Sequence, residues 1–193
     1  MKPTKAYTRK GKLTVIAGPM FSGKTGKLVA ITEVLTRMGK IVVTIKPEID
    51  MRYGNKREIH SHDHHRTKAI VANGQMPETI IEEILGSQAD VAIFDEVQFF
   101  DREKISQLIK RLRRNGVDVI VAGLLYDYRR RPFGVTGELL GLADERLELF
   151  AVCQKCGNFA RHSERQKGSN SVIDIGAADK YIAVCESCHR IYR

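Results

Sequence analysis

The sequence predicts an α/β protein: a P-loop (RecA-like) parallel sheet with helices on both faces, plus a small C-terminal unit pinned by cysteines and carrying a lid loop. Three observations lead there. The stretch GPMFSGKT, residues 18–25, fits G-x-x-x-x-G-K-[ST] and lies between an apolar β-branched run and a helical pattern. Four short apolar runs alternate with helical segments, as in a parallel sheet buried on both faces. Two C-x-x-C pairs, at residues 153–156 and 185–188, enclose a polar, glycine-containing span without a clear helix.

The elements follow in order. LTVIA at 13–17 is a strand, the glycines at 18 and 23 supply the turn, and residues 27–38 place Leu28, Ile31, Val34, Leu35 and Met38 at helical spacing. Gly39 ends that helix, and IVVTI at 41–45 reads as the next buried strand, stopped by Pro47. The span 48–67 is polar, rich in His and Arg and without periodicity, so most of it reads as a loop over the sheet. Residues 77–85 look helical, VAIF at 91–94 is a third buried strand, residues 102–114 form a helix, Asn115 and Gly116 stop it, and residues 117–122 are a fourth strand. From about Phe150 the texture changes, which suggests three units: a basic arm over 1–12, an α/β domain over 13–149 and a cysteine-bearing domain over 150–193.

Bulk properties narrow the function. The 193 residues, 42% hydrophobic and 28% charged, suit one well-buried core with a small appended unit. No run approaches the roughly 18 apolar residues of a membrane helix, and the opening MKPTKAYTRKGK lacks the apolar stretch of a signal peptide. The expectation is a cytoplasmic protein with no membrane partner, whose four cysteines are metal ligands or free thiols. The net charge of +9 is concentrated in KRLRR at 110–114 and RRR at 129–131. Such runs serve nucleic-acid binders, but KRLRR sits on a helical segment, where charge forms a solvated face. Nucleic acid is therefore not expected as a partner.

In GPMFSGKT the glycines let the backbone approach phosphates, Lys24 reaches the outer phosphates and Thr25 offers a hydroxyl to magnesium. Asp95 ends an apolar strand, the place for a second magnesium-holding carboxylate, and Glu96 stands beside it. That pair serves either a hydrolase that orients water or a kinase that takes a proton from a hydroxyl; a third reading has Glu96 merely capping the next helix. Cys153, Cys156, Cys185 and Cys188 supply four soft ligands for a tetrahedral zinc ion, closed to substrate and so structural, with His189 as an alternative to Cys188. Phe99, Phe100 and Tyr181 read either as core aromatics or as walls for a planar ligand. The histidines from His60 to His65 read as a solvated loop, whereas Asp63 among them is an acid near the phosphates.

Taken in order, GPMFSGKT, D-x-R-Y at 50–53, HD at 62–63, FDEVQFF at 94–100, PFG at 132–134, the C-x-x-C pairs and IGAADKY at 175–181 resemble the thymidine kinases of the P-loop and zinc type. The resemblance implies transfer of a phosphoryl group from magnesium ATP to the 5′-hydroxyl of thymidine, with Glu96 as the base. It implies an ATP site made by Gly18, Pro19, Met20, Phe21, Ser22, Gly23, Lys24, Thr25, Asp95, Glu96, Val97 and Gln98, with Thr25 and Asp95 serving magnesium. It assigns Asp63, Phe99, Tyr128, Phe133, Val172, Ile173, Asp174, Ile175, Gly176 and Tyr181 to the nucleoside, residues 172–176 being a lasso loop anchored by the zinc ribbon. It further implies a homotetramer or homodimer and feedback binding of thymidine triphosphate. Leu125 stands where many relatives have Asp, Tyr128 where they have Phe, and Arg130 where bacterial relatives often have Gly. The alternative from residues alone is a small nucleic-acid-binding P-loop ATPase with a zinc ribbon, in which Glu96 activates water.

Overall fold

The computed structural model describes residues 9–49, 58–60, 66–73, 78–167, 171–172 and 180–190. In chain order the elements are β1 (Leu13–Ala17), α1 (Lys24–Arg37), β2 (Val42–Pro47), β3 (Glu58–His60), β4 (Arg66–Lys68), β5 (Ile70–Ala72), α2 (Glu78–Gly86), β6 (Val91–Phe94), α3 (Arg102–Arg114), β7 (Asp118–Gly123), α4 (Thr136–Leu142) and β8 (Glu145–Glu148). The chain ends in β9 (Ala151–Val152), β10 (Phe159–Ala160), β11 (His162–Arg165) and β12 (Tyr181–Val184). Six strands form one sheet in the order β5-β2-β6-β7-β1-β8, every pairing parallel. Among the described residues no helix is long and apolar enough to cross a membrane.

Burial on both faces explains why the strands read as unbroken apolar runs. Leu13, Val15, Ala92, Phe94, Val119 and Val121 face α2, α3 and α4, through Ile80, Ile84, Ile105, Leu108, Ile109, Leu112 and Leu139. Ile16, Val91, Ile93 and Ala122, on the other face, meet Leu28 and Val29 of α1. Each buried Val, Leu, Ile or Phe among them contributes about 1.5–3 kcal/mol on leaving water.

The helix α3 shows how local chemistry fixes an element. Asp101 caps its start, accepting from Lys104 N at 3.0 Å, while Arg111, Arg113 and Arg114 stand in the last turn, where the helix dipole favours cations. The helix stops at Asn115, followed by Gly116 at φ 75°. KRLRR is not wholly a solvated face. Lys110, Arg111 and Arg114 are exposed, whereas Arg113 is buried, donating from Nε to Gly11 O at 2.8 Å and from Nη2 to Asp144 Oδ2 at 2.6 Å.

Two expectations need correction, and two further elements carry no sequence signal. The first helix starts at Lys24, not residue 27, and Val34 and Met38 point to solvent at 58% and 66% exposure, so its packed stripe is Leu28, Val29, Ile31 and Leu35. The polar span taken as loop contains the antiparallel pair β3 and β4, and β5 follows it, too short to register as an apolar run, pairing with the end of β2. Strand β8, with sequence ERLE, is an edge strand whose polar surface gives no apolar signal. The helix α4, TGELLGL, is short and carries two glycines, which hides its period.

Candidate active site

Residues 18–25 turn tightly from β1 into α1. A Cβ on Gly18 would lie 2.6 Å from Ser22 Oγ and 2.7 Å from Leu149 O, so only glycine fits. Gly23 is the N-cap at φ 81°, no side chain caps the helix, and its first turn holds no acid. The α1 amides and the positive end of its dipole are thus left for an anion. Lys24, 6% exposed, donates from Nζ to Pro19 O at 2.8 Å, folded over the loop it serves.

The carboxylates meet this loop from β6, which lies one strand away, beyond β7. Thr25 Oγ1 donates to Asp95 Oδ2 at 3.0 Å, and Glu96 N donates to Asp95 Oδ1 at 2.9 Å, which supports a carboxylate that is 1% exposed. Glu96 itself, at φ 49° and ψ 47°, lies in the left-handed region, an uncommon state for a non-glycine residue. Its side chain caps nothing. It accepts instead from Gln98 Nε2 at 2.5 Å, while Gln98 Oε1 accepts from Leu124 N at 3.0 Å. Val97 is fully buried in the core.

The predicted nucleoside residues fall into two groups. Phe99 and Phe133 meet edge to face with ring centroids 5.6 Å apart, whereas Phe100 is core, set edge-on to Phe94. Tyr128 and Tyr181 are joined by Arg165, a residue the sequence did not single out. Its guanidinium lies 3.8 Å from the Tyr128 ring centre, donates to Tyr181 Oη at 2.5 and 3.0 Å, and also donates to Ser171 O and Val172 O. A charge pattern around one arginine gives no sign of this in sequence; the tie exists only once β11 and β12 pair. Asp63, Ile173, Asp174, Ile175 and Gly176 lie outside the described residues, as do residues 61–65 of the histidine cluster and residues 50–53.

A cavity of about 300 Å³ lies beside the loop, between Gly18 and Pro19, Leu125 and Tyr126, and His162 and Ser163. Arg130, at φ 64° where glycine is at ease, lines its edge and pairs with Glu186, which also accepts from His162 Nε2 at 2.7 Å. Hydrogen bonds from His162 and Arg130 hold the Glu186 carboxyl below its usual range, that of His162 most of all.

All four cysteine sulfurs lie within 4.8 Å of one another, Cys156 Sγ and Cys185 Sγ at 3.6 Å. Zn–S bonds of about 2.3 Å place tetrahedral sulfurs about 3.8 Å apart, so the cluster fits zinc. Burial opposes ionisation of Cys153, but N–H donors from Cys185, Lys155 and Cys156 outweigh it and bring its thiol down to about 6. Hydrogen bonds with Cys156 and Cys185 push Cys188 up to about 12. His189 is not part of the cluster. Its Nε2 lies 3.1 Å from Tyr128 O, and burial lowers its pKa.

The sequence pattern of the thymidine kinase family matches residues 11–189. A thymidine kinase of Porphyromonas gingivalis is 36% identical over 182 residues, which cover 94% of this chain and 86% of that protein. One of Pseudothermotoga lettingae is 35% identical over 180 residues, covering 93% of this chain and 95% of the relative. A solved structure described as a DNA replication initiation factor overlaps with a TM-score of 0.43 at 13% identity, over 77% of this chain and 42% of that one, too distant to carry weight. A match of this length, on a fold that joins a phosphate loop to paired carboxylates and a four-cysteine cluster, has one consequence: the chain belongs to the thymidine kinase family.

Proposed function

We propose that this protein transfers the γ-phosphoryl group of magnesium ATP to the 5′-hydroxyl of thymidine, giving thymidine monophosphate, with Glu96 as general base. The observation that carries the reading is the 3.0 Å contact between Thr25 and Asp95, which joins the phosphate loop to the strand end immediately before Glu96. Thr25 and Asp95 would hold magnesium, which would supply charge neutralisation to the phosphates. The amides of residues 18–25 and the uncapped start of α1 hold the phosphates, and Lys24 exchanges Pro19 O for phosphate oxygens. The backbone of Val97 and Gln98 borders the ATP side, since one side chain is in the core and the other holds Glu96.

Glu96 accepts the proton of the attacking hydroxyl, and Gln98 aims it. Phe99 with Phe133, and Tyr128 with Tyr181, flank the flat nucleoside. Asp63 and the backbone of Val172, Ile173, Asp174, Ile175 and Gly176 complete that site, and closure of the loop excludes water. Zinc on Cys153, Cys156, Cys185 and Cys188 is structural. The units then divide at 1–12, 13–149 and 150–193. Cytoplasmic location, assembly as a dimer or tetramer and feedback by thymidine triphosphate belong to the same reading.

One experiment tests it: purified protein with magnesium ATP and a panel of thymidine, deoxyuridine and deoxycytidine, products resolved chromatographically. Thymidine monophosphate as the main product supports the reading. DNA-stimulated ATP hydrolysis with no nucleoside product overturns it in favour of an ATPase. Leu125, Tyr128 and Arg130, where the sequence departs from relatives, make the deoxyuridine-to-thymidine ratio the informative quantity.

A further inference from the structure

We propose that Phe21 is a positioning residue that couples the four-cysteine unit to the phosphate loop, so that metal occupancy there sets the affinity for a nucleotide's phosphates. The inference rests on the loop being the ATP site, as proposed above.

The motif G-x-x-x-x-G-K-[ST] leaves its four middle positions open, and phosphate binding uses their backbone rather than their side chains. Nothing in that chemistry asks for a phenylalanine. Yet Phe21 sits at φ 65°, a left-handed conformation that is a marked outlier for a bulky residue and persists only where the surroundings enforce it. The enforcement comes from outside the loop. Phe21 packs on the small core formed by Ala151, Cys153, Ala160, Ala183, Val184 and Cys185, to which Cys188 also belongs in part. The preceding residue is held by the same unit: Met20 N donates to Ser163 Oγ of β11 at 2.9 Å. Within the loop, Ser22 Oγ and Lys24 Nζ both donate to Pro19 O, and at its end Thr25 Oγ1 donates to Asp95 Oδ2. Its middle is therefore tied to the cysteine unit at two successive residues.

That unit cannot keep its shape by apolar burial. Its core consists mostly of alanines and cysteines, and cores this small need a metal or disulfide. The cysteines are free thiols that suit a divalent ion. With the ion bound, the seat for Phe21 is fixed and the loop amides stay aimed. Without it the seat loosens, the left-handed turn relaxes and phosphate affinity falls. Linkage makes the effect mutual: a bound nucleotide must hold the metal more tightly by the same factor.

The test uses the full chain and ADP, without nucleoside. ADP affinity is measured by titration calorimetry on zinc-loaded and chelator-stripped protein, and zinc release to a chromophoric chelator is followed with and without ADP. Expected results are at least a tenfold loss of ADP affinity on stripping, a similar loss for zinc-loaded Phe21→Ala, and little further loss when that variant is stripped. ADP slows zinc release from the native protein and not from Phe21→Ala. Ser163→Ala, which removes only the acceptor for Met20 N, gives a smaller loss in both readouts and serves should Phe21→Ala not fold. Equal ADP affinity in Phe21→Ala and the native protein, or zinc release indifferent to ADP while ADP binds well, would overturn the coupling. Absence of ADP binding in every form would instead overturn the ATP site itself, and the coupling with it.

Discussion

Replacing Gln98 with leucine separates the aim of Glu96 from its chemistry. The leucine keeps the volume of a side chain in a region that is 4% exposed, but loses the 2.5 Å bond to Glu96 Oε2 and the 3.0 Å bond from Leu124 N. A hydrogen bond to a charged acceptor contributes about 1.5–3 kcal/mol, and each 1.4 kcal/mol is about tenfold in rate. If the bond matters only as the proton moves, kcat and kcat/KM both fall by about 10- to 150-fold, with KM for ATP and thymidine unchanged. Loss of the Leu124 acceptor costs about 1–3 kcal/mol of stability, which for a chain of this size is a Tm lower by about 2–12 °C. Radiolabelled thymidine turnover and differential scanning fluorimetry read the two effects separately. A lower Tm with kcat within twofold of the native value would refute the reasoning, because Gln98 would then only brace the end of β7.

Other outcomes follow from the same geometry. Glu96→Gln keeps ATP affinity, measured by calorimetry, and lowers turnover by about 10²- to 10⁴-fold, the span of a general base. Arg165→Lys retains the charge but loses the planar fork that stacks on Tyr128 and bonds Tyr181, so KM for thymidine rises about tenfold while ADP affinity holds. Gly134→Ala puts a Cβ 2.5 Å from Gln98 O at φ 59°, and the protein is recovered with a sharply lower Tm or as aggregate. Asp144 has its pKa lowered, first by the bond from Leu13 N; a lowered folded-state pKa gives stability that is present above the unfolded value of 3.8 and is lost as pH falls through the folded one. Asp144→Asn therefore lowers Tm at pH 7, and the difference from the native protein shrinks as pH falls below 3.8, by thermal melts across that range.

The sequence made β1, β6 and α3 legible to the residue, because apolar runs buried on two faces and a capped amphipathic helix each carry their own periodic signal. The phosphate loop was legible because Gly18 and Gly23 are required by contact and by φ. Elements whose reasons lie elsewhere in the chain were not. β8 and β5 exist because a neighbouring strand offers a ladder, not because ERLE or IVA demands extension. The roles of Gln98 and Arg165 stayed hidden for the same reason, since each is defined by partners that only the folded chain brings near.

The arrangement of β11 shows what such hidden roles have in common. A strand alternates its side chains, and here the alternation divides two tasks. His162 and Glu164 hydrogen-bond within their own unit: His162 meets Glu186, and Glu164 accepts from Lys155 at 2.7 and 2.9 Å. Burial alone would raise the Glu164 carboxyl, but the Lys155 ammonium and Arg190 N hold it below its usual range, so it stays ionised and fixes the strand. Ser163 and Arg165 reach the opposite way, to Met20 of the phosphate loop and to Tyr128 and Tyr181. One four-residue strand, clamped on one side, thereby touches both the phosphate loop and the aromatic pair. A slip of one residue in its pairing with β12 would exchange the two sets, turning a buried carboxylate toward Met20 N and leaving Lys155 facing an arginine. The register of β11 against β12 is for that reason as much a part of the site as any residue in it.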